Sequence, residues 1–205
     1  MIADALLAEL PLVAILRGVT PARIEGIAEG LFGAGFRAIE VPLNSPEPLK
    51  SIERLARKFD GRMLVGAGTV VDVAAVHQVR EAGGSLIVSP DTNIEVIAAA
   101  AAAGMVANPG YFTPSEAFAA IRAGATALKL FPAEGATTAV LKAQLAVLPR
   151  GVRILIVGGV KPDTMRPWLD AGARGFGLGG GLYKAGQSPA ETLDKARAYV
   201  AALGA

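Results

Sequence analysis

The 205-residue chain has no cysteine, which excludes disulfides, thiolate zinc sites and a cysteine nucleophile. Its single histidine, His77, falls in a helical pattern away from any strand end and cannot belong to a histidine metal cluster. Neither positive nor negative charge predominates: Lys+Arg 20 against Asp+Glu 18 leaves a formal charge of +2. The charges are scattered, with neither a basic stripe nor an acidic tail, so no nucleic acid or membrane partner is expected. The opening MIADALLAELP lacks a basic segment followed by a long apolar core, and no later stretch is both apolar and free of turn residues for a membrane span. The alanine-rich run from Ala98 to Ala103 is short and stops at Gly104, as a capped helix would. A soluble, cytoplasmic protein is the expectation.

What the chain does have is hydrophobic residue, 52% of it, with 25 glycines and 13 prolines, which suits one domain over residues 1–205 with a large core. Eight short β-branched or aliphatic runs recur: VAILRG, AIEVPL, LVGAGTV, SLIVSP, MVANPG, ALKLFP, ILIVGGV and GFGLGGG. Helical patterns lie between them, among them Ala22 to Ala34, Glu47 to Phe59, Val73 to Ala82, Pro114 to Ala123, Thr138 to Leu148 and Pro162 to Ala171. The repeat of roughly 20 to 25 residues is that of a βα unit. Five joins carry an Ala-Gly pair, at Gly35, Gly83, Gly104, Gly124 and Gly172, where glycine supplies a left-handed helix cap. Eight such units predict a closed (β/α)8 TIM barrel, with an open doubly wound sheet as runner-up. The last helix, Pro189 to Leu203, has to close the ring, and a short leading helix around Ile2 to Glu9 caps the bottom.

In such a barrel the site forms at the C-terminal strand ends. Those ends carry Arg17, Glu40 with Pro42 and Asn44, Thr69, Pro90, Asn108, Lys129, Gly158 with Gly159, and Gly179 with Gly180. Lys129 is the anomaly among them, a lysine inside a short apolar strand. With period two it shares a face with Ala127 and Phe131, while Leu128 and Leu130 share the other. Burial lowers a lysine pKa toward the range of the nucleophilic free amine, the condition for Schiff-base chemistry. The alternative is a lysine that pairs with a buried carboxylate or reaches out at the strand end. Parity also turns Glu40 inward with Ala38, opposite Ile39, Val41 and Leu43. It is therefore either the structural ion partner of Lys129 or a carboxylate of raised pKa that moves protons.

Arg17 can bind a carboxylate by two parallel hydrogen bonds, although a surface arginine at a strand exit is as natural a reading. Thr69 offers a hydroxyl beside two glycines that allow close approach to the backbone. The clusters GGV at Gly158 and LGGG ending at Gly181 follow strands seven and eight, a common phosphate site in barrels. For Gly181 alone a tight turn is the preferred explanation. Neither cluster holds a charged residue, so anion binding would rest on backbone N–H groups and the helix dipole.

The ordered series LPLVAILRG, AIEVPLNSP, VGAGTV, LIVSP, ALKLFPA, VGGV and GLGGGLY, spread over nearly the whole chain, resembles the KDPG/KHG aldolase family. The resemblance implies a class I aldolase, usually a homotrimer, that needs no metal or cofactor. Such an enzyme cleaves a phosphorylated 2-keto-3-deoxy sugar acid to pyruvate and glyceraldehyde 3-phosphate. It implies Lys129 as the Schiff-base lysine and Glu40 as the general acid/base. Arg17 and Thr69 match substrate-binding positions near the carboxylate, and Gly158, Gly159, Gly179 and Gly180 match the phosphate loops. The ILRG arginine, the PLNS after Glu40 and Val157 before Gly158 resemble the phosphogalactonate branch, which acts in galactonate degradation. The alternatives are a phosphogluconate or dual-epimer aldolase, and in another class a phosphosugar-binding barrel with an isomerase or non-catalytic role. One departure stands out: the family often has serine where this chain has Gly180.

Overall fold

The structure, a computed structural model, describes Leu6 and residues 10–204. Its parallel strands are β1 (Leu12–Ile15), β2 (Ala38–Pro42), β3 (Leu64–Gly68), β4 (Leu86–Val88), β5 (Val106–Asn108), β6 (Gly110–Tyr111), β7 (Leu128–Leu130), β8 (Ile154–Val157) and β9 (Gly175–Leu178). The helices are α1 (Ile24–Gly33), α2 (Pro48–Lys58), α3 (Val73–Glu81), α4 (Ile94–Ala102), α5 (Pro114–Arg122), α6 (Thr138–Val147), α7 (Met165–Asp170) and α8 (Pro189–Leu203). Among the described residues, no helix is long and apolar enough to cross a membrane.

The strands run in the order β5-β4-β3-β2-β1-β9-β8-β7-β6. Its two ends, β5 and β6, are successive pieces of the MVANPGY stretch, so the sheet curls round to meet itself at Pro109. Proline has no N–H to give a ladder, and the stretch divides there, one half pairing with β4 and the other with β7. Hydrogen bonds cross the seam on both sides: Gly110 N–H donates to Ser89 C=O (3.0 Å), and Lys129 N–H to Pro109 C=O (2.9 Å). The expected eight-stranded barrel is thus formed, its fifth strand split in two by a proline.

The period-two reading of the strands is also formed. Val13, Ala38, Leu64, Leu86, Val106, Ala127 and Leu155 fill the barrel interior, with Leu6 among them. Leu12, Ile39, Val41, Leu128 and Leu130 lie in the outer core against the helices. The leading helix expected over Ile2 to Glu9 falls outside the described residues except at Leu6, which is helical. All five Ala-Gly joins end a helix at a glycine of positive φ, from 71° at Gly104 to 105° at Gly35 and Gly172. Helix α8 closes the ring against α1, with Gly30 facing Leu193; a Cβ there would meet Leu193 Cβ at 3.6 Å, an ordinary contact.

Candidate active site

The C-terminal strand ends surround a cleft of about 400 Å³. Arg17, Glu40, Thr69, Lys129, Gly158, Gly159, Gly179 and Gly180, every site residue expected from the sequence, line this one cleft with Pro90 and Val157. Pro42, Asn44 and Asn108, also at strand ends, do not; Asn108 is buried beside the split in the fifth strand, with no partner for Oδ1.

Among the described residues Glu40 is the most enclosed charged group, 2% exposed and near the end of β2. Burial pushes its carboxyl up from 4.5 to about 7, a rise that the positive charges of Lys129 and Arg17 only partly oppose. Oε2 has no hydrogen-bond partner. The space for this carboxylate is made by Gly68 on the neighbouring strand β3, where a Cβ would overlap Oε2. The glycines of GAGT therefore serve a purpose that the sequence did not reveal. They do not open the backbone to a ligand: Gly68 accommodates Glu40, and Gly66 lies against the backbone of Leu86.

Lys129, 7% exposed in β7, has its pKa lowered by burial first and by Arg17 as well, against the pull of Glu40. Its ammonium nitrogen stands 4.5 Å from the centre of the Phe131 ring, two residues along on the same face. No hydrogen bond or ion pair joins Lys129 to Glu40; the two influence each other only through space. A direct, hydrogen-bonded ion pair between the two is therefore not formed. What stands in the cleft is a desolvated amine whose pKa is lowered, near a desolvated carboxyl raised to about 7.

Arg17 is held at the rim, its guanidinium donating to Asn44 Oδ1 and to the Thr69 hydroxyl (3.4 Å). Thr69 has a φ of 58°, an outlier for a β-branched residue. Such strain persists where the side chain is needed at that place, and here the threonine sets its hydroxyl beside Arg17. On the β8–β9 side the two glycine pairs differ. Gly158 and Gly159 have φ of 111° and 64°, a turn that requires glycine. At Gly179 and Gly180 a Cβ would meet nothing within 4 Å, so open space lies over them. A Cβ at Gly181 would overlap the Tyr199 hydroxyl; packing, not a turn, accounts for glycine there.

Two charged residues of the cleft were not singled out from the sequence, Glu134 and Lys161. Glu134 sits in a short 3-10 turn (Ala133–Gly135) after β7 and Lys161 in the loop after β8, where alternation no longer tells which way a side chain points. The signal available was proximity to the motifs: Lys161 is one residue beyond GGV, and Glu134 two beyond ALKLFP.

A carboxyl raised by burial leaves a mark on stability. Between about pH 4.5 and 7 the unfolded chain has released the Glu40 proton while the folded chain retains it. The folded state binds more protons in that window, so stability falls as pH rises through it and then levels off. At 1.36 kcal/mol per unit the fall is roughly 3 kcal/mol. Urea midpoints across this range should show the decline in wild type and lose it in Glu40→Gln; equal slopes in the two proteins would contradict the assignment.

Comparison with known proteins agrees with this geometry. A family model described as "Aldolase: KDPG and KHG aldolase" matches residues 3–198. The chain is 46% identical over 197 residues to a probable 2-dehydro-3-deoxy-6-phosphogalactonate aldolase of Rhizobium meliloti (strain 1021), covering 96% of this chain and 93% of the relative. It is 44% identical over 194 residues to the 2-dehydro-3-deoxy-6-phosphogalactonate aldolase of Escherichia coli (strain K12), covering 95% of each. A solved structure titled "Native KDPGal structure" superposes with a TM-score of 0.94 at 43% identity, covering 96% of this chain and 95% of the other. With the family model spanning nearly its whole length and the barrel in place, the chain belongs to the KDPG and KHG aldolase family.

Proposed function

We propose that the protein is a class I aldolase that cleaves 2-dehydro-3-deoxy-6-phosphogalactonate to pyruvate and D-glyceraldehyde 3-phosphate. The observation that carries this reading is the pair of buried, mutually unbonded side chains, Lys129 and Glu40, in one cleft. The names of the relatives supply the substrate.

In the reaction the neutral Lys129 amine attacks the C2 ketone. Glu40, directly or through a water, supplies the proton with which the carbinolamine loses water to become an iminium. The C3–C4 bond then breaks. Its electrons flow into the iminium while the C4 hydroxyl gives its proton to Glu40 or that water, and glyceraldehyde 3-phosphate departs. The enamine left on Lys129 is protonated at C3 and hydrolysed, which releases pyruvate and restores the amine. A carboxyl with a pKa of about 7 can both give and take a proton at neutral pH. Arg17 and Thr69 hold the substrate carboxylate and keep C2 in line with Lys129, while the two glycine pairs take the phosphate at the far end.

Val157 lies on the cleft wall between the lysine strand and the glycine pairs, 5% exposed. A methyl there in place of a hydroxyl gives the sugar-chain alcohols no hydrogen bond, and this is the basis for assigning the galacto epimer. Initial rates of pyruvate release from the two C4-epimeric substrates test it. Wild type should favour the galacto form, and Val157→Thr should move the ratio toward the gluco form by about tenfold, the effect of one polar contact. A wild type indifferent to the epimer would retain the aldolase and remove the branch. By the same resemblance we expect a homotrimer acting in the cytoplasm in galactonate degradation; sedimentation equilibrium reads the assembly mass directly, and the mass of a single chain would contradict the trimer.

A further inference from the structure

We propose that the Lys161 ammonium is the cation that holds the substrate phosphate, in place of the hydroxyl that Gly180 lacks. The inference rests on the aldolase reading for the identity of the anion, and on the cleft itself for its place.

The β8–β9 side of the cleft offers the phosphate backbone amides from Gly158, Gly159, Gly179 and Gly180, and open space over the second pair. It does not offer a neutral setting. Glu134 lies against the first pair: a Cβ at Gly159 would sit 2.7 Å from its Cγ, and one at Gly158 would overlap its Oε2. A phosphate dianion approaching these amides is repelled by that carboxylate unless a cation shares the space. The cleft has three cationic side chains. Arg17 is on the β1–β3 side, bonded to Asn44 and Thr69, and Lys129 is committed to the ketone carbon. Lys161 is the third, and it follows directly on the Gly158–Gly159 turn.

The local structure fixes the root of Lys161 and leaves its head free. Its N–H donates to Thr164 Oγ1 (2.9 Å), and the Thr164 hydroxyl donates back to its C=O (3.0 Å). The preceding Val160 carbonyl accepts from the buried Tyr199 hydroxyl (2.9 Å). Among the described residues the Lys161 ammonium has no hydrogen bond or ion pair. Lys161 lines both the cleft and a more open groove on the other side of this turn; Asp163, the nearest acidic residue in sequence, lines only that groove. A four-carbon stem anchored at the turn, with an unengaged ammonium, can follow a phosphate as it settles between the glycine pairs. Where a serine hydroxyl would give one fixed contact, Lys161 gives a charge that also offsets Glu134.

The test is calorimetric titration of glycerol 3-phosphate at low ionic strength into wild type, Lys161→Gln, Lys161→Arg and Glu134→Gln. Lys161→Gln should weaken binding about tenfold, Lys161→Arg should stay within about threefold of wild type, and Glu134→Gln should tighten binding a few-fold, as expected for charge-assisted contacts. Equal affinity of wild type and Lys161→Gln would overturn the proposal, as would a wild type that does not bind the probe. Failure of Lys161→Arg to recover binding would also overturn it, since a charge role tolerates that exchange. The probe has no ketone and forms no Schiff base. A Lys161-dependent affinity in a protein that fails to capture pyruvate would therefore retain the phosphate site and dismiss the aldolase. Pyruvate capture with Lys161-independent affinity would do the reverse.

Discussion

Lys129→Ala should abolish pyruvate release, lowering kcat by roughly 10⁴-fold or more, the scale of removing a covalent nucleophile. Lys129→Arg should be no better, because a guanidinium keeps its proton throughout the working range and cannot attack a carbonyl. The comparison separates charge from nucleophilicity: arginine retains a positive neighbour for Glu40 and still provides no amine. Removing the lysine also takes away the largest of the positive influences that hold the Glu40 pKa down. In Lys129→Ala that carboxyl should therefore titrate higher than in wild type, visible as a stability decline that extends to higher pH. Residual lysine-independent cleavage above a few per cent of wild type would show that another group carries the chemistry.

Gly68→Ala should be nearly as damaging, although Gly68 bears no functional group. The added methyl falls on Glu40 Oε2, and both residues lie in paired strands that cannot move apart without disturbing the barrel. The carboxylate has to swing away, or β2 and β3 have to shift. Overpacking of this kind costs roughly 1 to 3 kcal/mol of stability. The larger effect is on turnover, since displacing the proton-transferring group should lower kcat by about 10² to 10⁴-fold, as removing a general acid/base does. Pairing Gly68→Ala with Glu40→Gln gives the control. If the methyl acts only by displacing the carboxylate, the double variant should turn over no more slowly than the slower single variant. Turnover of Gly68→Ala within threefold of wild type would mean that Glu40 is not held as the structure places it.

The sequence shows a good part of this, for a physical reason. Strands β2 and β7 sit in the barrel wall, where alternation is strict: Ala38 and Ala127 face in, Ile39 and Leu128 face out, and Glu40 and Lys129 must follow the inward set. One parity rule therefore puts both groups in one interior before any coordinates exist. The Ala-Gly joins are legible for a similar reason, since a left-handed cap narrows the choice of residue. Gly68 shows the limit of this kind of reading. A glycine in a strand signals that something approaches closely, but not whether it is a ligand, a backbone or, as here, a carboxylate from the next strand. Lys161 and Glu134 lie past the strand ends, in a loop and a short 3-10 turn whose course is set by packing and not by a repeat. The split of the fifth strand at Pro109 has its cause in plain view, a residue with no N–H, yet only the closed sheet shows that this stretch is the seam.

Reduction of the enzyme with borohydride in the presence of pyruvate, followed by peptide mass mapping, identifies the nucleophile itself. A single reduced pyruvyl adduct is expected on Lys129, with none formed without pyruvate and none in Lys129→Ala. An adduct on another lysine, or no adduct in an enzyme that still cleaves its substrate, would contradict it.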